Sequence, residues 1–326
     1  MKIGFIASNR DISIGSYRIW IKDLNDYFKY CGIDSRICNS NHDIEESPVL
    51  ICSKGDFGRV EPLKNRYPNK KIGIVNLAAD KRVAADFIIV GSLEEKDSLS
   101  HYENVFMFPL IERLTQGHPA KKHQYEENLS LVFHGSYTHL SKFDPHLKVA
   151  LEELEREVNF NLKIITSDAG FVWKVGRPNI KNIKMHQWQI DTICKEISEC
   201  DIGLVPNLTT LSEKHLETNC PPVMGLYSTD YAIRFKNKSN AGRSFVFHQL
   251  GIPVVSDLTP SNFHILGNPD CGLIAHSKLG WKKSILSLVN HNERNRISLN
   301  AKKEFDRLYD PHIWAARLYK EIMEIS

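Results

Sequence analysis

The stretch KNKSNAGRSFVFHQLGIPVVSD, residues 236–257, decides how the chain is read. It reads as a loop, a short helix, a tight turn and a strand. Lys236, Lys238, Ser239 and Asn240 precede the helix, and Gly242 and Arg243 open it. Phe245, Val246, Phe247 and Leu250 give it an apolar side. Gly251 suits a left-handed C-cap, with Pro253 just beyond. Ile252, Val254 and Val255 form a buried strand that Ser256 and Asp257 end. A helix N-terminus offers free N–H groups and a partial positive charge. Two lysines, an arginine, a serine and an asparagine gathered there suit a phosphate. The same residues read equally as a solvated basic loop ahead of a core helix.

Outward from this stretch, strands alternate with helices. Toward the N-terminus, residues 201–206 (DIGLVP), 182–185, 162–165 and 129–133 read as strands, with helices over 190–198 and 145–158. Beyond the stretch come a strand at 271–275, a helix at 281–289, and helix from 293 to the end with a break at Asp310-Pro311. An earlier series repeats the pattern: strands at 2–7, 34–38, 48–52, 71–76, 87–90 and 103–108, and an amphipathic helix at 17–30. Short β-branched strands with helices between them predict parallel sheets covered on both faces. The polar run RLTQGHPAKKHQYEEN, residues 113–128, reads as an interdomain linker, and 207–235 as a long irregular stretch. The expected organisation is therefore α/β, with an N-terminal Rossmann-like domain over 1–115, a second over 128–305, and a C-terminal helix over 306–326 packing back on the first. Ligands of such sheets bind outside the carboxyl ends of the strands. The loops after Ala7, Cys52, Phe133, Ile165 and Pro206 are expected to face a cleft.

Composition narrows the function classes. With 42 basic against 39 acidic residues, the net charge of +3 is too balanced to predict nucleic-acid binding. Seven cysteines, widely spaced and without a CxxC, argue against a disulfide framework or zinc site and fit a reducing compartment. MKIGFIAS reads as a first strand rather than a signal peptide, and no apolar run approaches the ~20 residues of a membrane span. The chain is expected to be cytoplasmic, with any contact to the inner membrane peripheral.

Four stretches, taken in order, resemble a GT-B glycosyltransferase. SNRDISIGSYRIWIKDL (8–24) is similar to the first βα turn of that fold, and HGSYTHL (134–140) to the loop after the first donor-domain strand. NIKMHQWQIDTICKEISECDIGLVP (182–206) resembles the stretch that cradles the nucleotide base. Residues 236–257 resemble the donor-phosphate segment, which typically ends G-x-P-V-V. The resemblance implies two Rossmann-like domains, the acceptor held mainly by the first and a nucleotide-sugar donor mainly by the second. The sequence departs from it at one point: many retaining members carry an E-x7-E pair around the phosphate segment, and here Asp230, Lys236, Lys238 and Arg243 occupy that region. A basic site without the acidic pair is similar to the retaining transferases that use CMP-Kdo in bacterial capsule and lipopolysaccharide assembly. That implies a glycan or lipid-linked glycan acceptor; that the chain is one module of a larger assembly system is a reading left open beside it. The alternative is a transferase using a nucleoside-diphosphate hexose. An epimerase or phosphorylase on the same fold, a two-domain binding protein and a non-catalytic nucleotide-sugar sensor are the further readings.

What the resemblance implies for individual residues follows from it. Lys236, Lys238, Ser239, Asn240, Gly242 and Arg243 hold the donor phosphate and stabilise the leaving group without a metal or other cofactor. Gly135 and Ser136 approach the phosphate or sugar, although a glycine after a strand also serves turn geometry alone. His186, Gln187 and Trp188 meet the base, with Trp188 reading equally as a core aromatic. Asp230 is the candidate nucleophile, or in the plainer reading the helix cap of STDYA. His264 in SNFHIL is a second catalytic candidate, and a lone histidine is commonly structural. On the acceptor side, Arg10 and Arg18 suit an anionic group. Gly15 and Ser16 accompany them, or simply start the helix.

Overall fold

Apolar runs of four residues, IGFI, VLIC, FIIV and IGLV, have no polar face to show to water, so each becomes a fully buried strand. A computed structural model describes residues 2–325, apart from 78–80, 138–139, 141–144, 169, 171, 174–176, 207–208, 211–232, 235–240 and 258. The first sheet holds β1 (Ile3–Ile6), β2 (Ser35–Ile37), β3 (Val49–Cys52), β4 (Lys71–Val75), β5 (Phe87–Val90) and β6 (Val105–Met107). All its pairings are parallel, in the order β2-β1-β3-β4-β5-β6. The second sheet repeats the plan with β7 (Leu129–Gly135), β8 (Phe160–Thr166), β9 (Ile183–Gln187), β10 (Ile202–Val205), β13 (Val254–Ser256) and β14 (Leu273–Ile274), ordered β14-β13-β10-β7-β8-β9. Between β10 and β13, β11 (Thr209–Thr210) and β12 (Ile233–Arg234) form a two-stranded antiparallel ribbon. The expected irregular stretch therefore contains some regular structure, and the rest of it lies outside the described residues.

Both sheets reverse strand order once, between β1 and β3 in the first and between β7 and β10 in the second. The carboxyl ends at such a reversal diverge into loops and leave space for a ligand.

The chain divides into two compact units. One comprises Met1–Gln116, Asn240–Val246 and Phe305–Ser326, the other Gly117–Ser239 and Phe247–Glu304. In the first unit the helix Pro311–Met323 buries Ala315, Leu318 and Ile322 in one cluster with Phe5, Trp20, Tyr27 and Phe28. Asp310 caps that helix by accepting from His312 N at 2.8 Å, and Pro311 takes the first helical position. In the second unit Gly203 on β10 leaves room for the Phe247 ring; a Cβ there would stand 2.6 Å from it.

The polar stretch expected to be a linker is an ordered strap on the second unit. Lys121 N donates to Leu250 O at 3.0 Å, and Lys121 Nζ lies 3.1 Å from Asp201. His123 and Asn295 exchange main-chain and side-chain bonds at 2.8 and 2.7 Å. Buried Arg294 donates to Gln124 O at 2.7 Å. Hydrophilic composition reflects these side-chain-to-backbone bonds rather than freedom.

Candidate functional site

On the first unit, the helix that follows β1 is irregular. Gly15–Tyr17 opens it, Arg18–Asp23 is π-helical, and Leu24–Tyr30 completes it. The wider turn carries Arg18, Trp20, Ile21 and Asp23 inward together. Gly15 and Ser16 stand at the helix start as expected, where no side chain caps it. Arg18 does not present its charge outward. It is buried, gives a bidentate bond to Glu112 at 2.8 and 2.9 Å, and donates to Ile12 O and Ser13 O. Its guanidinium shapes the loop after β1. Arg10 is exposed and is held by Ala7 O at 3.2 Å, by Cys38 O and by Asn39 Oδ1.

The residue that organises the reversal point of this sheet is Asp56, which the sequence reading passed over. It accepts from Ser8 N at 2.9 Å, from Ser8 Oγ and from Ser53 Oγ at 2.5 Å. One buried carboxylate thus ties the loop after β1 to the loop after β3. Burial works to raise its pKa, but the three hydrogen bonds and Arg59 hold it below the ordinary aspartate value. The signal was local: Ser53 and Asp56 are spaced as a turn in SKGDFG.

On the second unit, the carboxyl ends of the sheet gather polar groups. Gly135 ends β7 at φ 141°, a conformation that side chains resist, and half-buried Ser136 follows it. Thr166 ends β8 fully buried, and its carbonyl accepts from Trp188 N at 2.8 Å. Trp188 is half-buried beyond the end of β9 rather than enclosed in the core. Gln187 Nε2 donates to Ser167 O at 2.8 Å, and His186 Nδ1 stands 2.8 Å from Glu196 Oε2. Ser256 ends β13. Its oxygen accepts from Asn262 Nδ2 at 3.1 Å, and its single proton is within reach of Val205 O and Asp257 O. Asp257, Thr259 and Asn262 are buried beside it.

The helix of the opening stretch runs Gly242–Leu250, so Gly242 and Arg243 do occupy its first turn. Both are half-buried. His248, on the same helix, is enclosed, and burial lowers its pKa to about 3, so the ring is neutral. Lys236, Lys238, Ser239, Asn240 and Asp230 lie outside the described residues. His264 is exposed on the helix Pro260–Leu266. Among the described residues no helix is long and apolar enough to cross a membrane.

No protein-family model matches the chain, and no curated protein matches it. Solved structures do. Anabaena HepE, in complex with UDP and glucose, superposes with a TM-score of 0.66 over 99% of both chains at 10% identity. A glycosyltransferase from Rickettsia africae gives 0.61 over 100% of this chain and 99% of its own, also at 10% identity. S. aureus TarM, bound to fondaparinux, alpha-GlcNAc-glycerol and UDP, gives 0.59 at 13% identity over 84% of this chain. The chain spans only 55% of TarM's length. Two six-stranded parallel sheets, each reversed once and matched along the whole length of HepE, are the GT-B fold of these glycosyltransferases.

Proposed function

We propose that the protein is a glycosyltransferase that takes a sugar from a nucleotide donor and passes it to a glycan acceptor. The observation that carries this reading is the whole-length likeness to HepE, whose structure contains UDP and glucose. The chemistry of individual residues supports it. The positive end of the Gly242–Leu250 helix, Arg243 in its first turn and Lys236 and Lys238 shortly before it in sequence suit a departing nucleoside phosphate. These cations would let the leaving group depart without a metal. Gly135 permits close approach to the main chain, and Trp188 beside Gln187 offers a stacking face for a base.

UDP in HepE and in TarM favours a nucleoside-diphosphate sugar as donor over CMP-Kdo. The CMP-Kdo reading rests on the basic segment and on Asp230 as nucleophile. A bacterial surface glycan remains the proposed acceptor class. The test is melting temperature against UDP, GDP, ADP, TDP and CMP. A ligand at 100 times its dissociation constant stabilises by roughly 2.7 kcal/mol. A shift with a nucleoside diphosphate selects the first donor class. A shift with CMP alone selects the second, and makes Asp230→Asn, assayed for transfer, the next variant. No shift with any nucleotide refutes the reading.

A further inference from the structure

The first unit holds a pocket of about 410 Å³ at the carboxyl ends of β1 and β2. That is room for one monosaccharide. Ile6, Ala7 and Ile44 supply its apolar part, and Arg10, Asn39 and Arg59 its polar part. We propose that this pocket binds a sugar carrying an oxyanion, a phosphate ester or a carboxylate, as part of the acceptor; the acceptor role rests on the transferase reading above.

Arg10 makes three bonds, all to neutral acceptors: the carbonyls of Ala7 and Cys38 and the amide oxygen of Asn39. They fix the guanidinium plane without cancelling its charge, and leave further N–H groups for a ligand. Arg59 is the second cation. Among the described residues the one carboxylate within reach is Asp56, 3.6 Å away, and Asp56 is already occupied by Ser8 and Ser53. Asp43, at the start of the helix beside the pocket, is likewise taken up by Asn39 N, Ser40 N, Ser40 Oγ and Arg36. These bonds keep Asp43 well below the usual carboxylate range. Among the described residues no acidic side chain lines the pocket itself. Asn39 Nδ2 has no acceptor among the described residues, and adds a neutral donor next to Arg10. Two guanidinium groups at one small cavity, neither closed by a bidentate carboxylate among the described residues, suit an oxyanion.

Isothermal titration calorimetry with glucose 6-phosphate, glucuronate and glucose tests this, each run with saturating UDP so that a nucleotide-sugar site does not contribute. The expected result is that at least one anionic sugar binds tenfold or more tightly than glucose. Arg59→Gln, at an exposed position, should remove that preference, and Arg10→Gln should weaken it about tenfold. Preference for glucose 6-phosphate alone assigns a phosphate ester, and for glucuronate alone a carboxylate. Equal binding of glucose, no binding of any sugar, or a preference that survives Arg59→Gln overturns the proposal. A parallel titration with the same panel of nucleotides separates the two readings: anionic sugar that binds while no nucleotide does leaves the pocket standing and removes the transferase.

Discussion

Glu112 closes a two-pronged ion pair on Arg18, Oε1 to Nε at 2.8 Å and Oε2 to Nη2 at 2.9 Å, across 94 residues of sequence. Both side chains are about nine-tenths buried. The pair joins the π-helical turn to the chain leaving the first sheet. Breaking one half of a buried pair leaves the other charge stranded, at a cost of about 3–5 kcal/mol. Glu112→Gln should therefore lower stability by that order, read as a loss of melting temperature in calorimetry. Because Arg18 also donates to Ile12 O and Ser13 O, the loop after β1 should become more sensitive to protease in the same variant. An unchanged melting temperature would show that water reaches the pair.

Asp23, on the same turn, gives a pH dependence of defined sign. Burial, and then the charge of Glu112, raise its pKa from 3.8 to about 7. Its Oδ2 has no partner among the described residues. The folded state then binds a proton that the unfolded state has lost, so this group's contribution falls as pH rises from about 4 to 7. His248 acts in the opposite direction. Its lowered pKa withdraws stability as pH falls from 6.5 toward 3. The wild-type curve mixes the two, and the informative quantity is the difference on Asp23→Asn. The variant should gain roughly 2–4 kcal/mol over wild type at pH 8 and little at pH 4. A gain that does not change with pH would mean that Asp23 is ionised throughout.

The strands were legible because a parallel sheet covered on both faces needs apolar runs, and runs such as FIIV admit few other readings. The helices Asn41–Glu46 and Leu93–Ser98 were harder, being a turn or two of mainly polar residues. Their caps did carry a signal, in Ser40 with Asp43 and in Ser92 with Glu95. Arg18 looked like a ligand-facing cation because its partner, Glu112, lies far off in sequence and a charge shows its pairing only in three dimensions. Asp56 was missed for the same reason: its role lies in joining Ser8 to Ser53. The helix of residues 236–257 begins where glycine and arginine placed it, and most of the basic residues ahead of it fall outside the described residues.

Gly251 is where the second unit's strap and helix meet. It has φ +70°, and a Cβ would stand 2.7 Å from Ala120 Cβ and 2.8 Å from Lys121 N. Its carbonyl lies 2.9 Å from His123 Nε2. Gly251→Ala therefore combines left-handed strain of about 1–2 kcal/mol with a clash against backbone that cannot swing away. Unfolding of the second unit should shift by about 2–4 kcal/mol, with faster amide exchange at Lys121 and His123. A loss of under about 1 kcal/mol would mean that the strap moves as a whole to make room.

Arg243 tests the donor reading directly. It stands in the first turn of the Gly242–Leu250 helix, and the transferase proposal gives its guanidinium the departing phosphate. Arg243→Gln keeps the length and a hydrogen-bond donor but removes the charge. UDP or its counterpart should bind about tenfold more weakly, a loss of about 1.4 kcal/mol. The transfer rate should fall further than affinity, because negative charge on the phosphate grows as the glycosidic bond breaks. The distinguishing measurement is kcat beside KM for the donor. A higher KM with an unchanged kcat would make Arg243 a ground-state contact, and leave leaving-group stabilisation to Lys236, Lys238 and the helix terminus. Activity retained in EDTA would agree with those cations acting without a metal. Activity abolished by EDTA and restored by a divalent ion would overturn that part of the proposal.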